Sequence, residues 1–362
     1  MNNNSLESAP NKFHIPSLDG LRAVAICIVF LSHAGLSKVI PGGLGVTIFF
    51  FLSGYLITTL LRLEHIKTGK IDLKKFYIRR MLRIWPNFYL VLFLGAILTA
   101  LNIIPGKVNL EGMLAQVLHL ANYYGIFWGG VGTTIGTGVF WSLAVEEHFY
   151  LVFPLIYIYL LKFKPEITQD QLLAIIITLC FIALFWRVYL VLLEHAPQHR
   201  TYYASDTRFD SLLFGCGLAL FKNPVIDTNH QMSESLLKYV WLPIGISMLV
   251  FSLVYRSDLF RETFRYTIQG VALIPIFIAA IRLPDWGLFK ILNLKSVRFI
   301  GVLSYSFYLV HHTIIETLND YFPEYSMLLL GLAAATLSLL IAYIIHKQVE
   351  VRLIQIRKKY SR

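Results

Sequence analysis

An all-α integral membrane protein, crossing the bilayer about ten times, is the fold class this sequence predicts. Three observations predict it. The 362 residues are 56% hydrophobic and 15% charged, with a mean hydropathy of +0.63, whereas soluble domains are about one quarter charged. Apolar runs of membrane-spanning length recur from Leu21 to Tyr343. The flanks, 1–17 and 347–362, are too short to bury a core and read as a short tail and a basic tail around one membrane domain, 18–346. Nucleic acid is excluded as the partner behind the net charge of +11, because the basic residues crowd loops beside apolar spans, as on a cytoplasmic membrane face.

The spans follow in order. The first, 19–37, comes after a polar stretch with no cleavage site and reads as retained rather than as a signal peptide. The second, 44–62, starts at Gly42-Gly-Leu-Gly45, and the basic stretch Lys74–Arg83 precedes the third, 84–104. Residues 110–128 are apolar, but His119, Asn122, Tyr123 and Tyr124 make them a poor lipid span, so they read as re-entrant or interfacial. Gly129–Gly138 lacks the lysine and preceding strand of a phosphate loop and reads as a flexible connector, with a lid or a sugar-contacting loop as the alternative. The remaining spans are 139–161, 171–193, 207–221, 236–254, 265–282, 301–318 and 326–346. Ten spans put both termini on one side. With that side inside, Lys38, Lys107, Arg200, Arg256, Arg261 and Arg265 are the basic loop residues left outside, so both termini are expected in the cytoplasm. Cys27, Cys180 and Cys216 all lie in apolar spans without paired spacing and read as small core residues. No metal site is expected.

Charges inside spans are costly and need a reason. Arg22 and His33, eleven residues apart, lie within about 20° of one helix face and about 16 Å apart along it. Asp19 shares that face, which should look into the bundle. By depth, His33 and Glu146 both come about 20 Å from the inner surface, with His311 slightly lower and Asp210 slightly higher. That predicts a polar chamber in the outer half of the bilayer. Structural alternatives stand beside each residue. Glu146 could pair with a basic group, His311 and His312 could be structural, Arg208 and Asp210 could form a salt bridge, and Arg187 could snorkel or pair internally. Glu147 points about 100° away from Glu146 and reads as a helix-pairing residue.

Arg80 and Arg83 share a helix face at i, i+3, and guanidinium forks match phosphate oxygens. With Arg22 at the same surface, they could hold a polyanionic cofactor whose flexible arm climbs toward His33. The alternative is ordinary anchoring to membrane lipid headgroups.

Six motifs in order carry a resemblance. They are Leu18-Asp-Gly-Leu-Arg-Ala23 with Ser32-His33, Gly45-Val-Thr-Ile-Phe-Phe-Phe-Leu-Ser-Gly-Tyr-Leu-Ile57, Arg80-Met-Leu-Arg83-Ile-Trp-Pro86, Trp141-Ser-Leu-Ala-Val-Glu146-Glu-His-Phe-Tyr-Leu151, Thr207-Arg-Phe-Asp210-Ser-Leu-Leu213 and Ser304-Tyr-Ser-Phe-Tyr-Leu-Val-His311. From Leu18 to about His346 the chain resembles the membrane-bound acyltransferase-3 family, which acylates carbohydrates. The resemblance implies an acyl-CoA donor, usually acetyl-CoA, on the cytoplasmic side of the inner membrane, and a glycan or lipid-linked sugar hydroxyl as acceptor on the outer side. It implies His33 as the essential histidine and Arg22, Arg80 and Arg83 as coenzyme contacts. Its motifs offer Asp210, Arg208, His311, Trp141, Tyr150 and Ser53 as candidate substrate contacts. His148 departs from the glutamine that the family often carries. Many relatives add an extracytoplasmic domain; without one here, transfer is expected to finish in the membrane domain or on a separate partner.

The chemistry expected is general-base catalysis by neutral His33, with Glu146 or Asp19 orienting the ring, and Glu146 favoured by depth. An acyl-histidine route stands beside it. Rival readings are a proton-coupled transporter using His33, Glu146 and His311 as a relay, and a lipid-binding scaffold without turnover.

Overall fold

A computed structural model of the chain describes residues 14–129, 133–358 and 360, and no strand occurs among them. The polar stretch behind the leader reading lies largely outside the described residues, as do positions 130–132 of the glycine-rich connector. Twelve helices build the bundle: α1 Pro16–Leu36, α2 Gly42–Thr68, α3 Leu73–Ala100, α4 Leu110–Val117, α5 Ala121–Trp128, α6 Trp141–Phe163, α7 Gln169–Leu192, α8 Ser205–Leu220, α9 Glu234–Val254, α10 Phe264–Arg282, α11 Lys295–Tyr321 and α12 Met327–Ile356. Short helical turns join some of them.

Local chemistry marks the ends. Asp72 accepts from the Lys75 amide to cap α3, Asn109 caps α4 through the Gly112 amide, and Thr168 and Gln171 form a capping box on α7. Gly69, at φ 71°, closes α2 in the left-handed conformation.

Among the described residues, eight helices are long and apolar enough to cross a membrane: α1, α2, α3, α6, α7, α9, α10 and α12. The two other expected spans, 207–221 and 301–318, are also helical. However, α8 has 16 residues, about 24 Å, against a hydrocarbon core of about 30 Å. It is almost wholly buried among its neighbours. Helix α11 has the length but carries Arg298, His311, His312 and Glu316, which lower its apolarity. Residues 110–128 form two eight-residue helices, each about 12 Å long and too short to cross. Cys180 and Cys216 are buried, but Cys27 is exposed on the outside of α1, correcting the expectation of a core residue there. The expected basic tail begins as helix, because α12 runs through a π turn, His346–Glu350, and turns polar side chains back into the bundle.

Helix pairs in the centre approach closely at glycine. A Cβ on Gly54 of α2 would overlap the Leu212 carbonyl of α8, and one on Gly215 of α8 would overlap the Phe51 carbonyl of α2. The obstacle in both cases is backbone, which cannot rotate away. Gly54→Val is therefore expected to cost about 3 kcal/mol or more, beyond the usual overpacking penalty. Thermal unfolding of the detergent-solubilised protein measures it, and an unchanged midpoint would disprove the contact.

Candidate functional site

Among the described residues, two cavities bear on the candidate site, and the second opens at the surface, where Tyr325 and Met327 are exposed. The first, about 520 Å³, lies between α1, α2, α3, α6, α11 and α12. Arg22, Arg80, Arg83, Ser53, Glu146 and Tyr150 line it. The second, about 420 Å³, is lined by His33 and Gly35 from α1, Asn319 from α11, and Tyr325 and Met327 beyond it.

In the first cavity the three arginines converge from α1 and α3. Arg22 Nη1 donates to Asp19 Oδ1 at 2.6 Å, and His14 Nε2 stands 2.8 Å from Asp19 Oδ2. The Arg80 guanidinium lies 5.4 Å from the Tyr150 ring centroid and 5.8 Å from that of Phe76. Glu146 accepts from Ser53 Oγ at 2.9 Å and from Tyr150 Oη at 3.0 Å. Its neighbour Glu147 accepts from Trp85 Nε1 at 3.2 Å, joining α6 to α3 as a helix-pairing residue.

His33 lies elsewhere. Its Nδ1 is 2.9 Å from His311 Nε2, and its ring centroid is 4.4 Å from that of His312. His311 is fully buried, and its Nδ1 is 2.8 Å from the Tyr308 carbonyl. A carbonyl only accepts, so His311 Nδ1 carries a hydrogen and the Nε2 of neutral His311 is an acceptor. His33 Nδ1 must then donate to it, which leaves the lone pair on His33 Nε2. The backbone-anchored imidazole of His311 thus fixes one tautomer of His33.

This corrects the depth argument. Glu146 and Asp19 sit in the first cavity and His33 lines the second, so neither carboxylate orients the ring; His311 does. Equal height along two axes does not make side chains neighbours, because azimuth decides which cavity each enters. Azimuth also changes where α1 ends in a π turn, Ser32–Leu36, with Gly35 at φ 96°. Between the cavities stands Tyr308, which lines the first. Its hydroxyl lies 2.7 Å from Ser142 Oγ and donates to the Val139 carbonyl at 3.0 Å, and its ring is 5.4 Å from that of His311.

Asp210, Arg208 and Trp141 line neither cavity. Arg187 donates to Asp210 Oδ2 at 2.6 Å and to Thr267 Oγ1 at 2.7 Å, with both charged groups fully buried. Asp210 therefore pairs with Arg187 rather than with Arg208. Arg208 stands 4.0 Å from the Tyr266 ring centroid and 5.8 Å from that of Trp141, and donates to Thr47 Oγ1 at 3.1 Å. Arg187→Leu would leave the Asp210 carboxylate buried and unpaired, an expected loss of about 3–5 kcal/mol. Thermal unfolding measures it, and the double variant Arg187→Leu/Asp210→Leu should recover part of the loss.

Sequence reasoning missed Tyr308, Ser142 and Asn87. Tyr308 precedes His311 by one helical turn, a spacing that was legible; Asn87 carried no such signal, because its partners come from the far end of the chain.

The histidines of α1 and α11 meet apart from the arginine-lined cavity, and comparison with known proteins decides the family. The family model described as "Acyltransferase domain" matches residues 15–347. This chain belongs to the acyltransferase-3 family. As a member of that family it resembles the peptidoglycan O-acetyltransferase OatA of Listeria monocytogenes, 34% identical over 314 residues, covering 83% of this chain and 49% of the relative. It resembles O-acetyltransferase OatA of Staphylococcus aureus at 33% over 335 residues, covering 88% and 53%. The chain thus spans about half the length of these curated relatives. No solved structure matches it. Membership in an acyltransferase family, with Glu146 and His33 in separate cavities, does not favour the transporter reading.

Proposed function

We propose that this acyltransferase-3 member moves an acetyl group from cytoplasmic acetyl-CoA to a glycan hydroxyl on the opposite side of the membrane. In this reading the chain crosses the cytoplasmic membrane ten times, with α8 and α11 as protein-enclosed spans and both termini inside. Arg22, Arg80 and Arg83 hold the coenzyme phosphates at the mouth of the first cavity. The acceptor hydroxyl enters the second cavity and meets His33 Nε2. Once the thioester is carried past the Tyr308 side chain, that nitrogen takes the hydroxyl proton as the oxygen bonds to the thioester carbon, and the proton then leaves with the thiolate. His311 holds the imidazole in the basic tautomer and stabilises the imidazolium, as the third member of a triad does. Ser53 and Tyr150 hold Glu146 among the arginines, where it limits their positive charge.

The observation that carries the reading is the fixed chain Tyr308 carbonyl–His311–His33, whose last member lines a cavity. Relatives named for peptidoglycan and O-acetylation favour a cell-wall glycan as acceptor. Mass spectrometry of wall glycan fragments from cells with and without the gene tests it. Loss of an acetyl mass, restored by the wild-type gene, is expected; an unchanged glycan would refute the assignment.

A further inference from the structure

The second cavity reaches well beyond the histidine that the proposed chemistry uses. Its volume, about 420 Å³, lies in the usual range of small-molecule sites. His33 stands against His312, with ring centroids 4.4 Å apart. Asn319 follows His312 by seven residues on α11, which puts it within about 20° of the same helix face and about 10 Å further along the axis. Ile315, between the two, lines the cavity, as do Asn319 itself and, past the end of the helix, Tyr325. The helix axis therefore sets the order along the cavity: His33, then Ile315, then Asn319 and the turn that carries Tyr325.

Both polar groups at the far end can be reached from outside. Asn319 is exposed, and Tyr325 is 50% exposed. Neither the Asn319 amide nor the Tyr325 hydroxyl has a hydrogen-bond partner among the described residues. Phe322 braces the Tyr325 ring edge to face, with centroids 5.9 Å apart. Among the described residues, no Asp, Glu, Lys or Arg lines this cavity. An amide, a phenol ring and an apolar wall without a counter-ion suit a neutral, hydroxyl-rich ligand. Hydroxyls both donate to and accept from an amide, and the C–H face of a sugar ring packs flat on an aromatic one.

We infer that the second cavity is a two-ring acceptor site, in which one sugar presents its hydroxyl to His33 and the next sugar contacts Asn319 and Tyr325. The inference rests on the proposed role of His33. A single sugar held at the imidazole does not reach an amide about 10 Å further along α11, whereas a disaccharide covers that length. Asn319 and Tyr325 thus select the acceptor and take no part in the proton transfer, and the acceptor is a glycan of at least two sugars.

Initial rates of the full-length protein in nanodiscs, at saturating acetyl-CoA, test this with single sugars and the disaccharide, both prepared from wall glycan. The disaccharide should have the lower KM. Asn319→Ala should raise that KM about three- to tenfold, the contribution of one neutral hydrogen bond, while kcat and the single-sugar KM stay in place. Tyr325→Ala should act in the same direction, and Tyr325→Phe, which keeps the ring, should recover most of the loss. Both positions are exposed, so the variants should fold, and a thermal unfolding midpoint near wild type certifies it. If one alanine variant does not fold, the other decides by the same comparison. An unchanged disaccharide KM in a folded alanine variant, or equal increases for single sugar and disaccharide, would overturn the inference and leave His33-dependent transfer standing. If the wild type acetylates neither acceptor, the wall-glycan assignment falls and takes the inference with it.

Discussion

His33→Ala is expected to lower acetyl transfer by about 10²–10⁴-fold, the range that a positioned general base supplies, with donor binding retained. The split follows from geometry. His33 lines the second cavity, whereas Arg22, Arg80 and Arg83 line the first, so on the proposed reading loss of the imidazole removes the proton acceptor and leaves the coenzyme contacts in place. His311→Ala acts on the same step at one remove. Without the Nε2 acceptor at 2.9 Å, His33 is free to take the tautomer that places a hydrogen on Nε2 and cannot accept a proton there. A tenfold to hundredfold fall in kcat is expected, again with donor KM little changed. Glu146→Gln discriminates between this account and a His33–Glu146 dyad, because its effect should fall on donor KM and not on the proton-transfer step. Initial rates at varied donor and acceptor concentrations measure all three. A full-rate His33→Ala protein would end the general-base account.

Charge removal at the first cavity is expected to give the second largest effect. Arg80→Ala and Arg83→Ala should each raise donor KM about 10–100-fold, because a charge-assisted hydrogen bond contributes about 1.5–3 kcal/mol. Lysine at either position should recover only part of this, because an ammonium keeps the charge and loses the bidentate fork. Arg22→Ala should act in the same direction and also release Asp19, which it holds at 2.6 Å, placing an unpaired carboxylate near the phosphates. Raising the ionic strength should reproduce the KM effect in the wild type more than in the variants. Equal KM values across the set would show that the arginines serve the lipid headgroups instead.

Much of this arrangement was legible in the sequence. Long apolar runs and few charges pointed to a helical membrane protein, the costly polar residues in those runs to Arg22 and His33, and the i, i+3 spacing in a basic stretch to Arg80 and Arg83. The tyrosine-rich polarity of 110–128 separated it correctly from the long spans. What the sequence hid was lateral placement. Depth along an axis is linear in residue number, but the direction of a side chain depends on turns such as the π segment at Ser32–Leu36, which no periodicity reveals. Glu146 was therefore drawn beside His33 when it belongs with Ser53 and Tyr150. Arg208 and Asp210, two apart in sequence, invited a pairing that α7 pre-empts through Arg187. Helix α8 is buried by its neighbours, which is a property of packing, and Glu350 joins Asn87 across the whole length of the chain.

Sidedness in proteoliposomes probes the central claim most directly. With the protein oriented uniformly, labelled acetyl-CoA is supplied on one side and a soluble glycan acceptor on the other. Acetylated acceptor should form when the donor is on the side of Arg22, Arg80 and Arg83 and the acceptor on the side of His33, and the His33→Ala protein should form none. Transfer of equal rate with donor and acceptor both confined to the His33 side would contradict it.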